Sequence, residues 1–170
     1  IMKTKDRRRL DRLYSYLYTR HMVNNEDNIK CFYCGDIADS YDHVPPLNCV
    51  ENMRIEDWNK NKIPFKLIKC CSTCNTKLGD KMLYTVFDRL SYLLVNLEKQ
   101  YSKLMDTRWS EKELKELGPN LLQIAKSQEN KTKLCKERLD NCYFRFDHSE
   151  TWPEDRKSTR LNSSHTDISR

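Results

Sequence analysis

Two short stretches decide the fold of this chain, 31-CFYCG-35 and 71-CSTCN-75. Each carries two cysteines separated by two residues, and a tight turn with that spacing brings both sulfurs to one metal ion. Two such turns complete a tetrahedral set of four sulfurs, which is the set that zinc prefers. Gly35 suits the first turn, because such a turn needs a residue that tolerates a positive φ. The predicted ligands of a structural zinc ion are Cys31, Cys34, Cys71 and Cys74.

The number of cysteines supports metal binding over disulfides. The chain has eight, and its first residues do not resemble a secretory signal, so we expect a reducing compartment. Cys70 could replace Cys71 as a ligand, although the spacing from Cys71 to Cys74 makes the better turn. The cysteines expected to be buried free thiols are Cys49, Cys135 and Cys142.

The composition sets outer limits on the function. The 170 residues are 33% charged, 38% hydrophobic and 10% aromatic, which allows a modest core and argues against a disordered polyelectrolyte. The formal net charge of +6 permits a polyanionic partner without requiring one. No apolar run approaches the roughly 18–20 residues of a membrane span. We therefore expect no membrane partner and a cytoplasmic location.

Polar residues with catalytic chemistry accompany the cysteines. Asp42-His43 lies between the two pairs, and Asn75 follows the last cysteine directly. A carboxylate and an amide oxygen are ligands that suit Mg²⁺ or Mn²⁺. An imidazole with a pKa near neutrality can take a proton from water. Zinc would tie the strand that bears Asp42-His43 to the helix that begins at Asn75, which brings the two oxygen ligands together.

The order and spacing of these seven residues resemble the zinc-knuckle branch of the HNH, or ββα-metal, endonucleases. The resemblance covers about residues 29–82. It implies that His43 is the general base of phosphodiester hydrolysis and that Asp42 and Asn75 hold a catalytic Mg²⁺ or Mn²⁺ ion. It also implies a nucleic-acid substrate, expected to be DNA, in a bacterial or phage-infected cell.

One position departs from the family pattern, because the middle Asn of the motif is Lys66 here. In the family that Asn braces the loop carrying the catalytic His. A backbone carbonyl or another side chain must then orient His43. The candidate side chains are Asn48, Asn52, Asn59 and Asn61.

Two other functional classes remain open at this stage. A non-catalytic zinc-dependent module that binds nucleic acid would keep the cysteines and treat Asp42, His43 and Asn75 as structural. Taken singly, an Asp-His before Pro-Pro is ordinarily a turn, and an Asn after a Cys is ordinarily a helix cap. An interaction protein built on a helical seam is the third class.

The predicted fold class is α+β, with a small zinc-bound ββα-metal core embedded in a mostly helical domain. We divide the chain into a basic N-terminal helix (1–28), the core (29–82), a helical extension (83–156) and a tail (157–170). Lys157–His165 resembles the translation of a sequencing adapter, so we exclude the tail from the fold and expect the natural C-terminus to be missing.

Hydrophobic spacing predicts the secondary structure around the core. The predicted helices are 4–22, one from Asn75 to about Met105, and 120–142. Phe65–Lys69 is predicted as a strand, and 24–28 and 49–64 are predicted as loops. Residues 143–156 are expected to be irregular.

A heptad seam runs through 83–104. It could pack on other helices of this chain or on a second copy, as a homodimer. Its members are Leu83, Phe87, Leu90, Leu94, Leu97, Tyr101 and Leu104.

Basic side chains flank the core on both sides and could contact phosphates. The alternative is a solvated helix face, with the arginines paired to Asp6 and Asp11. The candidate nucleic-acid-binding residues are Arg7, Arg8, Arg9, Arg12, Lys77 and Lys81.

Overall fold

Helices form most of the described chain and surround one three-stranded sheet, so the mixed α+β class is confirmed. The computed structural model describes residues 4–20, 29–60 and 63–149. The predicted loop at 24–28 and the tail 157–170 lie outside these ranges. The helices are α1 (Thr4–Tyr14), α2 (Leu47–Asn52), α3 (Ile55–Lys60), α4 (Ser72–Leu78), α5 (Val86–Asp106), α6 (Glu111–Glu116) and α7 (Pro119–Ser149). The strands are β1 (Thr19–Arg20), β2 (Ser40–Val44) and β3 (Lys66–Cys70).

The sheet has the order β1-β3-β2 and places the second cysteine pair beside Asp42-His43. β2 runs antiparallel to β3, with Asp42 opposite Ile68 and Ser40 opposite Cys70. Because side chains alternate along a strand, Asp42 is buried with Val44 on one face and His43 lies on the other. The chain then passes from β3 directly into α4. The strand predicted at Phe65–Lys69 is thus confirmed, with its bounds shifted by one residue to Lys66–Cys70.

The prediction of one continuous helix from Asn75 to Met105 is wrong. α4 ends at Leu78, where Gly79 has φ 54° and its N–H donates to the Asn75 carbonyl at 2.8 Å. α5 begins after a capping box in which Thr85 and Asp88 satisfy each other's backbone N–H groups. A positive φ ends a helix, and a capping box starts a new one, so the chain turns between the two.

The heptad seam is covered by a helix of the same chain. Leu90, Leu94 and Leu97 are buried in one cluster with Leu139 and Cys142 of α7. Of the two partners that the sequence allowed for this seam, the structure shows the intramolecular one. α7 also extends beyond the predicted end at 142, so the expected irregular segment is helical as far as Ser149. The rings of Phe87 and Phe146, 4.8 Å apart, pack its last turns against α5.

Two more predictions about local structure are corrected. The expected loop at 49–64 contains the short helices α2 and α3, which bury Val50 and Trp58. The expected helix 4–22 ends at Tyr14, and Thr19–Arg20 pairs in parallel with β3 instead. Leu10 is buried, whereas Leu13 is 49% exposed. Among the described residues, no helix combines the length and apolar character that a bilayer crossing requires.

Candidate metal centre and active site

The four predicted cysteines converge on one point in the core. Their sulfurs all lie within 4.8 Å of one another, and the Sγ atoms of Cys34 and Cys71 are 3.7 Å apart. A tetrahedron with Zn–S bonds of about 2.3 Å has sulfurs about 3.8 Å apart. Cys70 is the last residue of β3 and lies outside this cluster, so the candidate ligand is Cys71 and not Cys70. The cluster can therefore hold a structural metal ion such as zinc.

Both turns that present the cysteines have the geometry expected of metal-binding turns. In the first, Gly35 has φ 79° and its N–H donates to the Cys31 carbonyl at 2.9 Å. A Cβ at Gly35 would come within 2.7 Å of the Asn141 side chain, so glycine is required for space as well as for φ. In the second, Cys71 caps α4 and its sulfur accepts the Cys74 N–H at 3.4 Å.

Hydrogen bonds shared among the four thiols lower the pKa values of Cys31 and Cys71 and raise those of Cys34 and Cys74. The pKa of Cys71 is lowered because the thiols of Cys31, Cys34 and Cys74 donate hydrogen bonds to its sulfur. A thiolate is the metal-binding form of cysteine. By contrast, burial raises the pKa of Cys49 to about 11 and that of Cys142 to about 12, as expected for protonated free thiols.

A cavity of about 510 Å³ brings the three predicted catalytic residues together. Asp42, His43 and Asn75 all line it. Arg7 of α1 and Lys81, just after α4, line it as well and supply positive charge. The cavity thus combines carboxylate, amide, imidazole and cationic side chains.

Asn75 is oriented so that its amide oxygen stays available. Its Nδ2 donates to the Tyr41 carbonyl at 3.1 Å and to the Ser40 hydroxyl at 2.7 Å. Because a carbonyl only accepts, the amide nitrogen must face β2. The Oδ1 atom is then the part of Asn75 left to act as a metal ligand.

Asp42 has less freedom, because it forms a buried ion pair with α5. Arg89 Nη1 lies 2.6 Å from Asp42 Oδ1 and 2.7 Å from Oδ2, and the Tyr33 hydroxyl donates to Oδ2 at 2.7 Å. Asp42 is only 2% exposed. Burial raises the pKa of the carboxyl, while Arg89 and Tyr33 act in the opposite direction. A carboxylate has about four acceptor directions, and these three contacts occupy three of them.

His43 is held by residues of the N-terminal segment. Its Nε2 lies 3.2 Å from Asp11 Oδ1, and its ring meets the edge of Tyr18 with centroids 4.8 Å apart. The side chain is 14% exposed. Burial lowers the pKa of His43, and Asp11 opposes this effect. The imidazole is therefore neutral near pH 7, as a general base must be.

Two of the side chains that we considered as orienting groups for His43 have other contacts. Asn48 Nδ2 donates to the Asp80 carbonyl at 3.0 Å, and Asn52 Nδ2 donates to the Asn48 carbonyl at 2.8 Å. Asn59 is exposed, and Asn61 lies outside the described residues. The carboxylate that contacts His43 is that of Asp11.

The six candidate phosphate-binding residues separate into groups. Arg7 and Lys81 line the cavity. Arg9 forms an ion pair with Glu51 of α2, and Lys77 donates to Gln100 of α5 at 3.1 Å. Arg8 and Arg12 are exposed on α1 and do not line the cavity.

Three residues of this site were not predicted, namely Arg89, Tyr33 and Asp11. A signal existed for Arg89, because a charged residue between the seam residues Phe87 and Leu90 on a leucine-rich helix requires a buried partner. Tyr33 lies inside the first cysteine turn, where spacing alone says nothing of its contacts. No local pattern indicates that Asp11 reaches His43.

Comparisons with protein-family models, curated proteins and solved structures found no match for this chain.

Proposed function

We propose that this chain is a metal-dependent endonuclease of the HNH type, which hydrolyses phosphodiester bonds in nucleic acid, with DNA as the substrate. The observation that carries the proposal is that Asp42, His43 and Asn75 line one cavity next to the four-cysteine cluster. A general base, two oxygen ligands for a divalent ion and cationic side chains are the groups that hydrolysis of a phosphodiester requires.

Zinc at the four cysteines would have a structural role in this enzyme. Cys74 immediately precedes Asn75, and Cys71 caps the same helix. A zinc ion that joins this helix end to the turn at Cys31–Cys34 would also hold the Asn75 amide against β2. Metal binding and the shape of the cavity would thus be coupled.

The chemical step follows from the protonation state of His43. The neutral imidazole accepts a proton from a water molecule as the water oxygen attacks phosphorus. The P–O3′ bond breaks in line, and the leaving 3′-oxygen takes a proton from solvent. Asp42 and Asn75 would hold a Mg²⁺ or Mn²⁺ ion, whose chemistry when bound is to stabilise negative charge on phosphoryl oxygens. Arg7 and Lys81 attract the phosphate to the cavity.

The second candidate function is a zinc-dependent nucleic-acid-binding module without catalysis. The ion pair between Asp42 and Arg89 favours it, because this contact gives Asp42 a structural role. Under this alternative, the cavity would bind phosphate through its cations, and His43 would have no part in a reaction.

Cleavage by the zinc-loaded protein distinguishes the two candidates. The protein would be incubated with single-stranded, duplex and branched DNA in the presence of Mg²⁺ or Mn²⁺, with the same zinc-loaded protein without added Mg²⁺ or Mn²⁺ as the control. Cleavage that requires the divalent ion supports the endonuclease. Binding to the same DNA in a mobility-shift assay, with no cleavage of any substrate, would select the binding module.

A further inference from the structure

The N-terminal segment is joined to the core at several points, although the sequence suggested a separate basic helix. β1 pairs with β3, with Thr19 opposite Lys66. The Tyr18 hydroxyl donates to the Pro45 carbonyl at 2.6 Å, and Leu10 is buried. Arg9 adds its ion pair with Glu51. These contacts give α1 a defined position beside the cavity.

Two residues of this segment hold the imidazole of His43. The Asp11 carboxylate lies 3.2 Å from Nε2, and the Tyr18 ring packs edge-on at 4.8 Å. A neutral imidazole has one N–H group and one nitrogen lone pair. An ionised carboxylate only accepts, so a neutral His43 must carry its proton on Nε2 to bond with Asp11. The lone pair then belongs to Nδ1.

We propose that Asp11 is a positioning residue for His43, because it holds the proton on Nε2 and so leaves Nδ1 as the atom that takes a proton from water. The proposal rests on the proposed endonuclease function. When Nδ1 gains that proton, the ring becomes an imidazolium with N–H groups at both nitrogens, and the Asp11 carboxylate stabilises its charge at Nε2. α1 is on this account part of the active site.

The chain offers a matched control on the same helix. Asp6 and Asp11 both belong to α1 and both are exposed, but only Asp11 contacts His43. The Asp11 side chain is 53% exposed, so water can take its place beside His43 Nε2 when Asp11 is replaced by alanine. Asp11→Ala, Asp6→Ala and the conservative variant Asp11→Glu should all fold and retain zinc.

The test combines single-turnover cleavage with NMR of the His43 ring, both on zinc-loaded protein at one fixed pH. In the wild type we expect a ring N–H proton at Nε2 that is protected from exchange with water. Asp11→Ala should lose this signal and lower kcat roughly 10- to 100-fold with little change in KM, the usual loss for a group that orients a functional histidine. Asp6→Ala should change neither, and Asp11→Glu should recover part of both.

The two hypotheses fail in different ways. If the wild type cleaves DNA and Asp11→Ala keeps both kcat and the Nε2 proton, the positioning role is overturned and the endonuclease stands. If the wild type cleaves no DNA, the endonuclease fails, and with it the catalytic role of Asp11. An equal loss of kcat in Asp6→Ala would also overturn the proposal, because the effect would then follow from the charge of α1.

Discussion

The four-cysteine cluster and the cavity beside it are neighbours, but their side chains are held in different ways. The cluster is buried and its ligands contact one another, and both of its turns are stabilised by hydrogen bonds within a few residues. In the cavity each polar residue is held by a different element. Asn75 bonds to β2, Asp42 to α5 and His43 to α1. The cluster thus depends on local turns, whereas the cavity depends on how remote helices pack around it.

The largest expected effect comes from removing one ligand of the cluster. Cys74→Ser should release zinc and abolish cooperative unfolding of the core, because structural zinc contributes roughly 10–16 kcal/mol to such folds. Zinc content by elemental analysis and thermal unfolding by circular dichroism measure both effects.

Cys135→Ser is the matched control for this ligand variant. Cys135 is buried on α7 but lies outside the cluster, so this variant should keep one zinc ion per chain. If Cys74→Ser retains both zinc and the wild-type Tm, the cluster is not a metal site and the contrast with the cavity disappears.

Breaking the contact between the cavity and α5 should have the next largest effect. Arg89→Met leaves the Asp42 carboxylate buried without a counter-charge, which costs about 3–5 kcal/mol in such cases. The free energy of unfolding, measured with urea, should fall by this amount while the zinc content is unchanged.

A double variant separates the lost charge pair from lost packing. Arg89→Met together with Asp42→Asn leaves no unpaired charge, so it should be more stable than Arg89→Met alone. A cost below about 1 kcal/mol for Arg89→Met, as for exposed ion pairs, would show that this contact does not hold α5 to the sheet.

The contrast between local turns in the cluster and remote contacts in the cavity explains which features could be predicted from the sequence. The spacing of the cysteine pairs determines a local turn, so the convergence of Cys31, Cys34, Cys71 and Cys74 was predicted and is confirmed. The break between α4 and α5 was predictable in principle, because Gly79 and the capping residues of α5 are visible in the sequence. We gave the heptad spacing more weight than these two signals.

The partners of the cavity residues could not be predicted in this way. Arg89 lies 47 positions from Asp42, and Asp11 comes from a helix that precedes the core. Hydrophobic spacing indicates which face of a helix is buried. It does not indicate which polar atoms of remote elements form contacts across the core. The sequence therefore predicted that Asp42 and Asn75 would come together, but not the contacts that orient them.

The smallest expected effect comes from replacing one arginine of α1. Arg7 lines the cavity, whereas Arg9 is paired with Glu51. If Arg7 contacts a phosphate, Arg7→Gln should weaken binding to all DNA sequences alike and flatten the salt dependence by about 1 unit, because one fewer counterion is released. Fluorescence anisotropy at several salt concentrations measures the slope.

Arg9→Gln serves as the comparison, and Lys126→Gln on the exposed face of α7 serves as the control. Both should keep the wild-type slope. Equal slopes for Arg7→Gln and the wild type would remove Arg7 from phosphate binding and leave it as a solvated charge.

The rate of DNA cleavage by His43→Ala decides whether His43 is the general base of an endonuclease. We expect the zinc-loaded wild type to cleave DNA with Mg²⁺ or Mn²⁺, and His43→Ala to lose roughly 10²–10⁴ in single-turnover rate. Zinc content and Tm should stay close to wild type, since His43 lies outside the cluster. Undiminished cleavage by a folded, zinc-loaded His43→Ala protein would show that His43 is not the general base.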